Sequence, residues 1–247
     1  MFVLLYKYMK KEDVFMHIEA YQKLTLLDFP GRTAATIFTH GCNFRCPFCH
    51  NAGLVVRPSE STIDEKELFD YLEKRKKLLD GVCITGGEPL LQKDIADFIR
   101  KIKSIGYLVK LDTNGSMPEK LEELIKEGII DYVAMDIKNS LDKYAITAGA
   151  TQDIVVKVQK SVETLLNADI DYEFRTTVTG NLHTVEDMRS IGEWIKGAKA
   201  YYLQPFKDSG DIVAGAEKAL EFECSASHAE ALLEAVKPFL PNTVIRG

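Results

Sequence analysis

Residues 34–51 read Ala34-Ala35-Thr36-Ile37-Phe38-Thr39-His40-Gly41-Cys42-Asn43-Phe44-Arg45-Cys46-Pro47-Phe48-Cys49-His50-Asn51, an apolar run that ends in three cysteines spaced C-x3-C-x2-C. Ala34 to Thr39 has the length and composition of a buried strand. The loop after it holds three of the chain's five cysteines within eight residues. Thiolates so close together serve a metal ion, an iron-sulfur cluster or redox exchange.

The same strand-then-loop unit recurs downstream. Strands are expected at Gly81 to Thr85, Tyr107 to Asp112, Tyr132 to Ile137, Tyr172 to Val178 and Tyr201 to Leu203. Between and after them, helices are expected at Asp64 to Lys77, Asp94 to Ser104, Pro118 to Glu127, Asp153 to Leu166, Thr184 to Lys196 and Ser227 to Val236. Ile95, Phe98, Ile99 and Ile102 recur at helical spacing, Pro118 and Gly128 mark a start and a stop, and Thr184-Val185-Glu186-Asp187 resembles a capping box. Six strand-helix pairs with short connections predict an α/β fold: a partial (β/α)6 barrel of parallel strands, with a doubly wound open sheet as the alternative. Ile18 to Pro30 reads as a strand or hairpin leading in. Residues 16–247 are expected to form one domain, and residues 1–15, which lack periodicity, a disordered or non-native extension ahead of a start at Met16.

The 247 residues carry a formal net charge of −6 without a long block of either sign, which disfavours nucleic acid as a partner. No apolar run approaches the roughly 20 residues that span a membrane. Phe2 to Tyr6 is too short for a signal peptide, so a cytoplasmic address with reduced thiols is expected. An odd number of cysteines, three of them clustered, does not form a disulfide framework.

Polar and glycine residues gather where the expected strands end. The first strand ends at the cysteines, the second at Thr85-Gly86-Gly87-Glu88-Pro89, the third at Asp112-Thr113-Asn114-Gly115 and the fourth at Met135-Asp136-Ile137-Lys138. Arg175 lies in the fifth, and Gln204-Pro205-Phe206 follows the sixth. Loops at the C-terminal ends of parallel strands converge on one mouth, so this pattern predicts a single shared site.

Several patterns overlap in the cysteine loop. Cys46-Pro47-Phe48-Cys49 could be a redox pair, which leaves Cys42 without a task, and C-x-x-C-H marks haem attachment only in exported chains. Zinc would need Cys42, Cys46, Cys49 and the adjacent His50 around one ion. Three thiolates on a four-iron cluster leave one iron open to an exogenous ligand.

Cys42-x3-Cys46-x-Phe48-Cys49 followed by Gly86-Gly87-Glu88-Pro89 resembles the two signature motifs of the radical S-adenosylmethionine (SAM) enzymes. The resemblance implies a [4Fe-4S] cluster on Cys42, Cys46 and Cys49 whose open iron takes SAM. It implies that Gly86, Gly87 and Glu88 line the methionine amino group and that Phe48 packs near the adenine. Leu24-Thr25-Leu26-Leu27-Asp28-Phe29-Pro30-Gly31, Cys49-His50-Asn51, Asp112-Thr113-Asn114-Gly115 and Asp136-Ile137-Lys138 are similar to the glycyl radical enzyme activases, most of all to the anaerobic ribonucleoside-triphosphate reductase activating proteins. That branch implies a monovalent cation framed by Asp112, Thr113 and Asp136 beside the SAM carboxylate, with Lys138 close by and Arg175 within reach. It also implies a glycyl radical enzyme as partner, an anaerobic ribonucleotide reductase first, and a flavodoxin or ferredoxin as electron donor. Rivals are a pyruvate formate-lyase type activase, a small-molecule enzyme such as a 7-carboxy-7-deazaguanine synthase, and a non-catalytic iron-sulfur or zinc module.

The other candidates read as structural. Cys83 is expected to pack as a small hydrophobe, Cys224 stands alone, and Trp194 packs on a helix. His17, His40, His183 and His228 are expected to have no companions that would make them ligands or a catalytic base.

Overall fold

The computed structural model describes residues 16–57, 63–208 and 210–246; the expectation for residues 1–15 lies outside them. Its strands are β1 (Ile18–Thr25), β2 (Ala34–Thr39), β3 (Gly81–Gly86), β4 (Leu108–Thr113), β5 (Tyr132–Asp136), β6 (Asp171–Val178), β7 (Tyr201–Pro205) and β8 (Val244–Ile245). The helices are α1 (Ala52–Val56), α2 (Glu65–Arg75), α3 (Ile95–Ile105), α4 (Pro118–Glu127), α5 (Leu141–Ala148), α6 (Ile154–Leu166), α7 (Val185–Trp194), α8 (Ala219–Phe222) and α9 (Ala226–Val236).

Each strand pairs with the next in sequence, and the order β1 to β8 does not return to its start, so the barrel stays open. β1 runs antiparallel to β2, and every later pair is parallel. This is the expected partial barrel, extended by a leading antiparallel strand and a two-residue last strand.

Alternation along the strands divides the sheet. Val82, Ile84, Val109, Leu111, Val133, Met135 and Phe174 are buried in one apolar core with Phe98, Ile99, Leu121, Val158 and Ile191 of the helices. The other set, Cys83, Thr85, Lys110, Asp112, Asp136 and Arg175, is polar and bonds across strands. Parallel strands buried on both faces are ordinarily apolar throughout. A row of polar groups on one face therefore needs internal partners, and their identity defines the site.

α5 was not expected. Its eight residues are held by tertiary bonds: Tyr144 Oη donates to Asp136 O at 3.2 Å, and Ala148 O accepts from the backbone of Arg45 at 2.9 Å. The second bond docks the end of α5 beneath the cysteine loop. Gly149 follows in the left-handed conformation at φ 58°, the ordinary helix stop.

Candidate active site

The cysteine loop is held from several sides. Arg45 Nη1 donates back to Cys42 O and Phe44 O at 2.6 and 2.8 Å, and the segment after β7 adds Val213 N to Cys49 O and Ala214 N to Pro47 O at 3.1 and 2.9 Å. Gly87 closes the loop's entry: a Cβ there would stand 1.9 Å from Gly41 O. Gly86, at φ 112°, lies close against Thr39, where a Cβ would stand 2.4 Å from its backbone nitrogen. The close approach these glycines permit is thus between the ends of β3 and β2.

Cys42, Cys46 and Cys49 line one cavity of about 240 Å³ with Phe48, Gly86, Gly87, Asp112, Thr113, Asp136, Lys138 and Arg175. Eleven of the twelve residues expected at the site therefore share one wall. The twelfth, Glu88, lies outside that lining. Its side chain is fully buried and turned toward β4, where it accepts from Thr113 Oγ1 at 2.8 Å, Asn114 N at 2.7 Å and Leu90 N at 3.1 Å. Burial pushes its carboxyl up to about 7, against the pull of those donors. Glu88 braces two loops and does not line the cavity.

The charged wall is a ladder. Arg175 Nε donates to Asp136 Oδ1 at 2.9 Å and its Nη1 to Asp112 Oδ2 at 3.1 Å, while Lys138 Nζ reaches Asp136 Oδ2 at 2.9 Å. Register explains the meeting, since Asp136 and Arg175 are paired neighbours on β5 and β6. Below them Lys110 Nζ is ion-paired with Asp112 Oδ1. Burial opposes the charge on both aspartates, but the cations outweigh it and hold each carboxyl below the usual range. Lys138 and Arg175 line the cavity with Asp112 and Asp136, while Lys110, the third cation of the ladder, is buried below them.

The residues expected to frame a monovalent cation are engaged with protein partners. Thr113 Oγ1 is committed to Glu88 and accepts from Gly115 N at 3.1 Å. The space between Asp112 and Asp136 is bridged by the Arg175 guanidinium.

Cys83 departs from its expectation too. It is buried, yet its Sγ lies 3.7 Å from Asp112 Oδ1 and 3.8 Å from Lys110 Nζ, within the ladder. Lys110, 1% exposed, was missed in the sequence, although Leu108, Lys110 and Asp112 share one face by simple alternation. His17 and His40 do have companions: their rings stack at 5.0 Å, and Glu19 Oε2 lies 3.9 and 3.4 Å from them. His183 is structural, spanning Thr179 N and Lys138 O at 3.1 and 2.9 Å. Trp194 packs edge-on against Tyr144. Phe48 is buried against the rings of Phe222 and His183. Thr85, Asn114, Thr177, Gln204, His50 and Asn51 are among the other residues that line the cavity.

No group of three or more His, Cys, Asp or Glu side chains among the described residues is placed to hold a single metal ion. Three thiols on one cavity can each take one iron of a polynuclear cluster. Burial pushes the Cys46 thiol up to about 12, so its ionisation needs a positive partner such as a cluster iron. No helix among the described residues is long and apolar enough to cross a membrane.

An open parallel barrel with a cysteine-lined cavity at its strand ends defines an α/β protein built to hold a metal cofactor beside a charged small molecule. The chain belongs to the radical SAM superfamily, whose family model matches residues 36–195. It is a radical SAM enzyme, and membership implies a [4Fe-4S] cluster and SAM, which the donor set described above fits. A Methanocaldococcus jannaschii protein named as a glycyl-radical enzyme activating enzyme is 37% identical over 194 residues, covering 76% of this chain and 80% of its own. Pyruvate formate-lyase-activating enzyme of Clostridium pasteurianum is 27% identical over 200 residues, 78% of this chain and 83% of its own. GTP 3',8-cyclase of Campylobacter jejuni is 28% identical over 166 residues, 66% of this chain and 51% of its own. Among solved structures, Streptococcus suis SuiB bound to SAM superposes with a TM-score of 0.63 at 16% identity, over 83% of this chain and 48% of that one.

Proposed function

We propose that this enzyme is a glycyl radical enzyme activase that acts on a partner protein, an anaerobic ribonucleotide reductase first, with a flavodoxin or ferredoxin as electron donor in the cytoplasm. The observation that carries this reading is the convergence of Cys42, Cys46 and Cys49 with the Asp112, Asp136, Lys138 and Arg175 ladder on one cavity. Its support toward activation is the kinship to two activating enzymes over most of their length.

In this reading residues 16–247 work as one domain. Cys42, Cys46 and Cys49 would hold the cluster, which would supply the electron for reductive cleavage of SAM and so the hydrogen-abstracting chemistry. Lys138 and Arg175 offer N–H donors to the SAM carboxylate, and Asp136 keeps both cations aimed. Asp112 anchors the far end of Arg175, and the chain's own cations take the place of a monovalent ion. Gly86 and Gly87 would offer backbone carbonyls to the ammonium, while Thr113 and Glu88 fix the loops that carry them. Phe48 offers a rigid apolar wall to the adenine.

The test is anaerobic. The full chain is reconstituted with iron and sulfide, reduced with dithionite, given SAM, and assayed for 5'-deoxyadenosine and methionine; a glycyl radical signal is then sought with candidate reductases. Cleavage with a radical on the reductase is expected, and Cys46→Ala should give neither. Cleavage with consumption of GTP and no partner radical would instead favour a small-molecule reaction like that of the cyclase relatives. A zinc-loaded protein without cleavage overturns the reading.

A further inference from the structure

Asn114, immediately after β4, has a task that the ladder does not explain. The residue is 7% exposed, and both ends of its side-chain amide are engaged. Oδ1 accepts from Ser116 N at 2.9 Å, while Nδ2 donates to Asn43 Oδ1 at 3.0 Å and lies 3.7 Å from Cys42 Sγ.

The orientation of this amide is fixed by chemistry. A backbone N–H can only donate, so the end facing Ser116 N must be the oxygen, and the NH2 must face Cys42 and Asn43. Asn43 Nδ2 returns to Ser116 Oγ at 2.9 Å and closes the ring between the two loops. Cys42 Sγ also receives the Phe44 backbone N–H at 3.4 Å. Cys46 Sγ, by contrast, faces the carbonyl oxygen of Ala148 at 3.6 Å. Cys42 and Cys46 are therefore not electrostatically equivalent: two N–H groups of the described residues are aimed at the Cys42 sulfur, and a carbonyl oxygen faces that of Cys46.

We infer that Asn114 is a positioning residue that donates its side-chain N–H to the sulfur of Cys42 and so raises the reduction potential of the cluster held there. N–H dipoles pointing at a ligand sulfur favour the more negative, reduced state, and outer hydrogen bonds of this kind also orient the ligand. The inference rests on the reading that these cysteines hold a cluster.

Asn114→Asp keeps the size and the acceptor for Ser116 N but replaces the donor by an oxygen. Asn114→Leu keeps the size and removes both polar ends. Wild type and both variants, as full chains reconstituted anaerobically, are titrated with dithionite while the reduced cluster is followed by paramagnetic resonance. Both variants should show a lower midpoint potential than wild type at equal iron per chain, Asn114→Asp the lower of the two. Midpoints equal to wild type overturn the inference. If the Asn114 variants do not retain iron, Asn43→Ala decides, because it leaves Asn114 in place but removes the carbonyl that steadies its amide: a fall in midpoint supports the inference and an unchanged value overturns it. A wild type that binds no cluster overturns this inference together with the reading of the site. A wild type with a normal cluster and variants with its potential overturn the inference alone.

Discussion

The backbone N–H of Asn114 donates to Glu88 Oε2 at 2.7 Å, and this one bond clasps the loop after β3 to the loop after β4. Glu88 remains fully buried there, with its carboxyl raised from 4.5 to about 7. As pH rises through that window, the unfolded chain releases the proton before the folded one does. Stability should therefore fall between about pH 4.5 and 7, by on the order of 3 kcal/mol. The depressed carboxyls of Asp112 and Asp136 act the other way, with stability lost only as pH falls below the usual carboxylate range. Urea unfolding at several pH values should show the decline in wild type and a flatter profile in Glu88→Gln. An equal slope in the variant would remove Glu88 as its origin.

How far the sequence could be read depended on how local each cause was. α4 was legible to the residue, Pro118–Glu127, because Pro opens it and Gly128 closes it at φ 71°. The central strands were legible as apolar runs. α5 was not, since its anchors, Asp136 O and the backbone of Arg45, belong to distant segments. The strand-end residues of the site were visible as a list, but their partners were not. Glu88 reads as a ligand-facing group in its motif and proves a brace only once Thr113 stands opposite it. The bond from Asn114 to Cys42 joins residues 72 positions apart, and no spacing rule brings them together.

Asp136 holds Lys138 Nζ and Arg175 Nε at 2.9 Å each. Asp136→Ala leaves both cations present but unaimed. Loss of a negative charge by itself would tighten the binding of an anionic group, so weakened binding is the result that identifies an orienting role. We expect intact cluster absorbance and SAM affinity reduced about tenfold, the equivalent of one charge-assisted hydrogen bond. Anaerobic equilibrium dialysis checks this, and unchanged affinity would take Asp136 out of the site.

Lys110 is the ladder's buried foot, ion-paired with Asp112 and lying over the Tyr132 ring at 6.0 Å. Lys110→Met keeps the length and leaves part of the Asp112 charge uncompensated, although Arg175 still reaches its other oxygen. The expected loss is about 3 kcal/mol, the low end for breaking a buried pair from one side. Adding Asp112→Asn removes the stranded charge and should restore part of that loss. Chemical denaturation of the single and double variants measures both numbers, and strictly additive losses would mean that the two side chains do not act as a pair.

Two glycines in the same backbone state separate conformation from contact. Gly128 and Gly149 both end helices at positive φ, 71° and 58°. A Cβ at Gly128 would meet nothing within 4 Å, whereas at Gly149 it would stand 2.3 Å from Arg45 O, inside the cysteine loop. Replacement by Ala costs about 1 kcal/mol at either site for the left-handed conformation. Only Gly149→Ala must also displace backbone, because Arg45 is held to Ala148 O by its own N–H. Both variants should therefore lose similar stability from the backbone term, with a further loss in Gly149→Ala. Only Gly149→Ala should in addition bind less iron after reconstitution, since Cys46 moves with its neighbour Arg45. Iron per chain, measured beside unfolding free energy, tests whether α5 is the platform of the cysteine loop. Equal iron in the two variants would mean that the loop keeps its shape without that support.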